Sequence, residues 1–276
     1  MTYTPSSTWK YSGNFEAGRV RDDIDCDFDR TALSFGMNYD SGAGVTARAR
    51  AEARVEDHAT DPTRDRKSYV FAGAYGYQFN PDWRFVASAD ALVSDSDQSS
   101  FLDGRYVEAS LGFAYRPVEH DRLNVLMRYT FLYDMPGVDQ VSSDGSSAGD
   151  KQRSHIFSLD SIYEVDENWK LGGKLAYRIS ETAPRAGGAF TDNSAGLAAM
   201  RATWHAVHQW DISGEVRTLV LPSADAREYG ALATVYRHVN NNVKVGVGYN
   251  FGRFSDDLRD LTLDDGGLFL NLVAKF

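Results

Sequence analysis

The 276-residue sequence contains a single cysteine, Cys26. One cysteine cannot form an intrachain disulfide, and it cannot supply the several thiolates of a zinc cluster. Cys26 lies in the acidic stretch of residues 22–29, whose composition is typical of a loop, so we expect no special role for it. These absences exclude a fold held together by disulfides or by thiolate-bound zinc.

The chain also has no long apolar run, since its uninterrupted apolar stretches extend over only a few residues. A transmembrane helix needs about 20 such residues, and this excludes the helical class of membrane protein. A membrane β-barrel remains open, because its strands carry apolar residues only at alternate positions. Residues 1–20 also lack the apolar segment of a secretory signal peptide. We therefore expect either a cytosolic protein or a mature or excised chain with an added Met1, and the patterns below favour the second.

Positive charge is in the minority, with 29 Lys and Arg against 39 Asp and Glu and a net charge of −10. A chain of this charge repels phosphate backbones, so we expect no nucleic acid as a partner. Two acidic loops, residues 94–100 and 255–267, lack the spaced aspartates and the closing glutamate of a known calcium loop. The sequence has no glycine-rich phosphate loop either. We therefore expect no cofactor and no metal site.

The histidines do not suggest a catalytic set. His155 is expected at an outer rim near Asp150 and Ser154, where a lone histidine with hydroxyl neighbours is normally solvated. His205 and His208 are three positions apart, and residues i and i+3 of a strand face opposite sides, which argues against a metal site on this pair. We therefore predict that the protein is not an enzyme.

What the chain does contain is a repeated alternation of apolar and polar residues. In VTARARAEARVED, residues 45–57, small apolar side chains alternate with Arg and Glu. A helix would place apolar residues at i, i+3, i+4 and i+7, so strict alternation over about 9–12 residues indicates strands. The pattern predicts fourteen strands, at about residues 9–20, 31–40, 44–56, 68–79, 83–94, 106–117, 123–134, 153–165, 168–180, 193–207, 210–221, 227–239, 242–254 and 267–276.

The connections between these strands alternate between short and long, for example residues 41–44 and then residues 57–67. In an up-and-down antiparallel sheet, odd and even connections lie at opposite ends. Outer-membrane barrels have short periplasmic turns, long extracellular loops and an even number of strands. We therefore predict an all-β fold, a closed up-and-down antiparallel transmembrane β-barrel of about 14 strands. It forms a single domain of residues 1–276, with residues 1–8 as an N-terminal periplasmic tail.

The two faces of the predicted strands differ in polarity. One face carries Val, Leu, Ala, Phe and Tyr, with aromatic residues towards the strand ends, as in the girdles of membrane barrels. The other carries charges of both signs, which a dry core could not hold but a water-filled lumen could. The alternative is a soluble all-β protein in which these charges are the solvated face. The predicted lumen-lining residues are Arg48, Arg50, Glu52, Arg54, Arg84, Asp90, Glu108, Arg116, Arg128, Asp160, Lys174, Arg178, Glu215, Arg217 and Lys244.

The last ten residues, GLFLNLVAKF, place apolar side chains at alternate positions and end on Phe. This strand resembles the carboxy-terminal assembly signal of bacterial outer-membrane β-barrel proteins, which the barrel-insertion machinery reads. The resemblance implies residence in the bacterial outer membrane, with that machinery, outer-membrane lipid and lipopolysaccharide as partners. Residues 249–276 are also similar to the ends of barrel domains in much longer proteobacterial surface proteins. The residues that carry the resemblance to the assembly signal are Leu268, Leu270, Leu272, Ala274 and Phe276.

Two functions are consistent with such a barrel. A porin-like channel would pass small polar solutes or ions through the charged lumen, although the mixed charges identify no favoured ion. A membrane anchor with a plugged lumen would instead attach a larger surface protein or assembly to the membrane, and this chain would then be part of a longer one. The long loop of residues 135–153 could constrict the lumen in either case.

Overall fold

The computed structural model describes most of the chain, and within that part no helix has the length and apolar character needed to cross a membrane. The strands form one antiparallel sheet and follow one another in chain order, except that the short strand β11 pairs only with β10. The described residues are 1–21, 27–59, 65–95, 104–134, 150–184, 188–207, 209–240, 243–252, 258 and 266–274.

Within the described residues the sheet contains sixteen strands, so the predicted count of fourteen is wrong. The difference arises from two strands of two residues each, which are too short to show any alternation. The longer strands correspond to the predicted ones. The strands are β1 (Thr2–Tyr3), β2 (Trp9–Val20), β3 (Phe28–Asp40), β4 (Val45–His58), β5 (Arg66–Gln78), β6 (Trp83–Asp95), β7 (Gly104–Tyr115), β8 (Leu123–Tyr133), β9 (Asp150–Glu164), β10 (Trp169–Pro184), β11 (Thr191–Asp192), β12 (Ala195–Val207), β13 (Trp210–Leu221), β14 (Ala226–Asn240), β15 (Val243–Asn250) and β16 (Gly267–Ala274).

The pairing register keeps the charged positions predicted to line a lumen on one side of the sheet across neighbouring strands. Arg50 of β4 lies opposite Ala72 of β5, which lies opposite Asp90 of β6, and Asp90 lies opposite Glu108 of β7. Residues that are directly opposite each other in an antiparallel pair point to the same face. We call this side the polar face and the other side the apolar face.

Burial on the two faces is the reverse of that in a soluble protein. On the apolar face, Leu270 is 76% exposed and Met200 is 71% exposed, whereas Arg178 and Glu215 on the polar face are 2% and 6% exposed. A soluble β-sandwich would bury its apolar face against a second sheet, but the described strands form only one sheet. An apolar surface of this extent is typical of a face that meets lipid.

Aromatic rings gather on the apolar face at the end of the sheet that carries the short turns. Trp169 stacks on Trp204 of the neighbouring strand, with 5.9 Å between ring centroids and 14° between ring planes. Trp83 similarly contacts Tyr115, with 4.6 Å between ring centroids. Amphipathic rings at one level match the aromatic belt of a membrane–water interface.

The sheet ends on one side at β16 and on the other at β2, part of whose outer edge is covered by β1. Residues 1–8, predicted as a tail, turn back so that β1 pairs with β2, Thr2 lying opposite Ser12. Within the described ranges β16 pairs only with β15, and the first and last long strands do not pair with each other. The up-and-down antiparallel order is thus as predicted, while closure of the barrel stays a prediction.

Candidate functional site

The polar face curves around a segment of the connection between β15 and β16. Leu258, in this connection, is 1% exposed and packs among apolar side chains from β8, β9, β12 and β13. This segment of the connection therefore lies against the polar face. The buried group, which we call the Leu258 cluster, comprises Leu132, Ile156, Ala195, Leu197, Leu219 and Leu258.

Arg178 of β10 contacts the segment at Leu258 through a hydrogen bond. Its Nη1 donates to the backbone oxygen of Leu258 at 3.1 Å, and its Nη2 donates to Gln152 Oε1 at 2.9 Å and to Ser180 Oγ at 3.0 Å. Because the guanidinium group is almost completely buried, these bonds satisfy a charge that would otherwise be costly. The β15–β16 connection is therefore attached to the strands by both apolar packing and charge-assisted hydrogen bonds.

Apart from Arg116, all the predicted lumen-lining residues lie within strands on the polar face. Arg116 lies just beyond the end of β7 and forms a two-pronged ion pair with Asp121, with Nε–Oδ1 and Nη2–Oδ2 distances of 2.6 and 2.9 Å. These hydrogen bonds raise the pKa of Arg116 and lower the pKa of Asp121. The residues on the strands are Arg48, Arg50, Glu52, Arg54, Arg84, Asp90, Glu108, Arg128, Asp160, Lys174, Arg178, Glu215, Arg217 and Lys244.

A cavity of about 800 Å³ occupies the polar face between β2 and β8, towards the short-turn end. Its lining includes Arg48, Arg84, Arg128 and Lys10, and Asp40 is the one acidic residue among the described residues that line it. Among the described residues no carboxylate lies within ion-pair distance of the three arginines. The cavity is therefore a concentration of positive charge in a chain whose net charge is negative.

Glycine makes room for one of these arginines. A Cβ atom at Gly76 of β5 would lie 3.1 Å from Arg84 Nη2, which is closer than most side-chain contacts. A larger residue at this position would push the guanidinium group away. The small side chains of Ala74 and Ser88 line the same cavity.

Elsewhere on the polar face several charges lie in ion pairs. Glu52, 9% exposed, accepts hydrogen bonds from Arg50 Nη2 at 2.5 Å and Arg54 Nη2 at 2.6 Å. In the other half of the sheet, Arg201 Nη2 lies 2.5 Å from Glu215 Oε2. Arg217 Nε lies 3.9 Å from Glu215 Oε1, and its Nη2 donates to Asn250 Oδ1 at 2.8 Å. The unneutralised charge of the cavity is thus a local feature.

A second cluster lies near the turn between β12 and β13. His205 Nδ1 is 2.6 Å from Asp211 Oδ1, and His238 Nε2 is 2.8 Å from Asp211 Oδ2. The three ligand atoms lie within 4.8 Å of one another, and Lys244 Nζ is 3.8 Å from Asp211 Oδ2. His205 thus pairs with residues of the two following strands, and His208 lies outside the described residues.

The groups considered for catalysis are separated. His155 lies on the apolar face, where its Nδ1 is 2.8 Å from the Tyr129 hydroxyl. Ser154 points to the polar face and bonds to Ser180, with 2.7 Å between the two hydroxyl oxygens. Strand alternation therefore places the predicted neighbours His155 and Ser154 on opposite sides of the sheet.

The terminal strand carries its leucines on the apolar face, opposite Val245, Val247 and Tyr249 of β15. Leu268, Leu270 and Leu272 are all more than two-thirds exposed. Phe276 lies outside the described residues. The role of this strand as an assembly signal stays a prediction.

Sequence reasoning missed several residues of these sites. Leu258 is one of three leucines, with Leu261 and Leu263, in an acidic stretch, and no local signal marks it as buried. Lys10 lies on the polar side of β2, where the alternation is weak. His238 is 27 residues from Asp211, so no spacing motif links them.

No protein-family model matches the sequence, and no curated protein matches it. Solved structures with a similar fold include the siderophore receptor PirA from Pseudomonas aeruginosa, with a TM-score of 0.64 and 8% identity over 90% of this chain and 46% of the receptor. The outer membrane channel DcaP of Acinetobacter baumannii has a TM-score of 0.51 and 11% identity over 98% and 95% of the two chains. A bacterial polysaccharide outer membrane secretin has a TM-score of 0.50 and 12% identity over 99% and 87%.

The chain spans about half the length of the siderophore receptors that it resembles. Identities this low indicate a shared fold and nothing about substrates. The all-β composition, the chain-order antiparallel sheet and these neighbours agree with the predicted resemblance. The chain has the fold of bacterial outer-membrane β-barrel proteins.

Proposed function

We propose that the protein is an outer-membrane β-barrel channel that favours small anionic solutes. The observation that carries the proposal is the cavity beside β2–β8, which three arginines line without an acidic partner among the described residues. Unpaired cations on the wall of a water-filled passage attract anions and lower their local electrostatic energy.

The proposal includes closure of the barrel by pairing of β2 with β16. β16 and the part of β2 that β1 does not cover expose backbone hydrogen-bonding groups at their outer edges, and such groups cost several kcal/mol each in hydrocarbon. In lipid, pairing of the two edges satisfies these groups and encloses the polar face as a lumen. Lipid, lipopolysaccharide and the barrel-insertion machinery then remain the proposed partners of the apolar face and the terminal strand.

The predicted preference follows from the charges that line the cavity. Four basic groups face one acidic group, Asp40, whose Oδ1 already accepts a hydrogen bond from Gly42 at 2.9 Å. At physiological ionic strength the Debye length is about 8 Å, so an ion inside the cavity interacts strongly with its wall. An anion such as a carboxylate or a phosphate ester fits this lining, whereas a small cation is repelled.

The test is the reversal potential of the folded protein in a planar lipid bilayer under a potassium chloride gradient. We expect stable conductance steps and a reversal potential of the sign that indicates chloride preference. Arg84→Gln combined with Arg128→Gln should shift that potential towards cation preference. Arg116→Gln is the matched control, because Arg116 lies in a turn beside Asp121 and outside the cavity.

Two results would count against the proposal. Cation preference in the unmodified protein would refute the role of the arginines. Silence from protein that is shown separately to be folded and inserted would refute an open lumen.

The second result would favour the membrane-anchor function. One observation supports this alternative, namely that the Leu258 cluster and Arg178 fill the polar face between β8 and β13. A barrel whose lumen is blocked by this filling would hold a larger assembly in the membrane without passing solutes.

A further inference from the structure

The cluster of His205, Asp211 and His238 is a compact set of metal-ligand atoms that solute passage does not require. We propose that these three side chains bind a divalent transition-metal ion of the Zn²⁺ class. The site lies on the polar face beside the turn between β12 and β13, away from the arginine-lined cavity.

The sheet itself holds the three ligands together. His205 lies directly opposite Asp211 in the β12–β13 register, and His238 lies on β14, two positions along from the residue opposite Asp211. All three side chains therefore point to the same face from neighbouring strands. With ligand atoms already within 4.8 Å of one another, small side-chain rotations bring them around one ion at the usual bond lengths of about 2.0–2.2 Å.

The donor types select the class of metal. Two imidazole nitrogens with one carboxylate oxygen suit Zn²⁺, Cu²⁺ and Ni²⁺. Ca²⁺ and Mg²⁺ prefer sites made entirely of oxygen atoms. Each ring nitrogen that now faces the carboxylate would turn its lone pair to the ion, with its proton on the other ring nitrogen or released to solvent.

Exposure leaves the site open to an ion from solution. The imidazole side chains of His205 and His238 are 37% and 35% exposed, whereas the Asp211 side chain is 12% exposed. The buried carboxylate is thus held in place, and the two imidazole rings are accessible to an ion from solvent. Three protein ligands would leave one coordination position for water.

The charge of Lys244 provides a test, because a metal site and a purely structural cluster predict opposite effects of its removal. Its Nζ lies 3.8 Å from Asp211 Oδ2, so its positive charge opposes a cation bound at that carboxylate. Removal of this charge in Lys244→Met should therefore tighten metal binding. The same substitution would weaken a cluster whose only role is to hold the strands together by polar contacts.

The experiment is a calorimetric titration with Zn²⁺ of the metal-free, untagged full chain folded in detergent micelles. We expect one Zn²⁺ per chain and no comparable heat with Ca²⁺. His238→Ala and Asp211→Asn should weaken binding by at least about tenfold, since even the outer partners of metal ligands are worth that much. His120→Ala is the control, because His120 is exposed in the turn between β7 and β8.

A second readout does not depend on affinity. The electron paramagnetic resonance spectrum of one equivalent of Cu²⁺ should show coordination by two nitrogens, and one of them should be lost in His238→Ala. Absence of stoichiometric Zn²⁺ binding would overturn the proposal. So would Zn²⁺ binding that is unchanged in His238→Ala, or an Asp211→Asn variant that loses folding stability but not zinc. None of these outcomes depends on whether the lumen conducts.

Discussion

Leu258 attaches the connection between β15 and β16 to the polar face, and Leu258→Ala tests how strongly. The side chain is 1% exposed and belongs to the Leu258 cluster, whose other members come from four strands. Replacing a buried leucine by alanine costs about 2–5 kcal/mol, through lost transfer energy and the cavity that remains. In Leu258→Ala the β15–β16 connection can detach from the polar face, so that no cavity remains. The lost free energy therefore weakens the attachment of the connection and not the stability of the whole sheet.

The lost free energy can be converted into the fraction of molecules in which the connection is detached. A loss of about 2 kcal/mol, the lower end of that range, raises the detached fraction about 30-fold, because each 1.4 kcal/mol is a factor of about ten. The hydrogen bond from Arg178 to the backbone of Leu258 remains in the variant and limits the effect. We therefore expect a folded barrel with a connection that detaches more often.

Limited trypsin digestion measures this fraction, since the sequence carries Arg253 and Arg259 on either side of Leu258. Cleavage at these two sites, identified by mass spectrometry, should be markedly faster in Leu258→Ala, and single-channel conductance should rise. Leu175→Ala is the control, because Leu175 lies on the apolar face and is 57% exposed. Equal cleavage rates and conductance in wild type and Leu258→Ala would refute the attachment.

Two further predictions concern stability in urea. Gly246→Ala should destabilise the protein by about 1–3 kcal/mol, because a Cβ atom there would overlap the ring of Tyr236. Gly214→Ala is the control and should be close to neutral, because nothing lies within 4 Å of a Cβ atom at that position. Equal urea midpoints for the two variants would contradict this packing. Asp121→Asn should lower the urea midpoint slightly at neutral pH. The folded pKa of Asp121 is depressed by its hydrogen bonds from Arg116, so its stabilisation is present above the unfolded pKa and is lost as pH falls through the folded one. The gap between wild type and Asp121→Asn should therefore begin to narrow as pH falls below about 4 and vanish below the folded pKa, and a gap that does not narrow would rule out this ion pair as its origin.

Local patterning was sufficient to predict the long strands and their two faces. In β4, Arg48, Arg50 and Glu52 alternate with alanines, and a strand must place alternate residues on opposite sides whatever its neighbours are. Alternation alone therefore places these charged residues of β4 on one face, without any knowledge of strand pairing. The strands β1 and β11 were missed because two residues cannot display a period of two.

The candidate sites depended on contacts between distant parts of the chain. Arg48, Arg84 and Arg128 were predicted as members of one mixed-charge lining, and only the tertiary structure separated them from the arginines that carboxylates neutralise. Ion pairing depends on cross-strand register and side-chain direction, which a single strand does not encode.

The sequence by itself thus determined the all-β character of this chain, its antiparallel order and the polarity of each face, because these follow from backbone geometry and a period of two. The tertiary structure alone decided that Leu258 enters the polar face and that His238 meets Asp211. Both contacts join residues whose separation along the chain carries no periodic signal, and they form only when the curved sheet brings their strands and connections together.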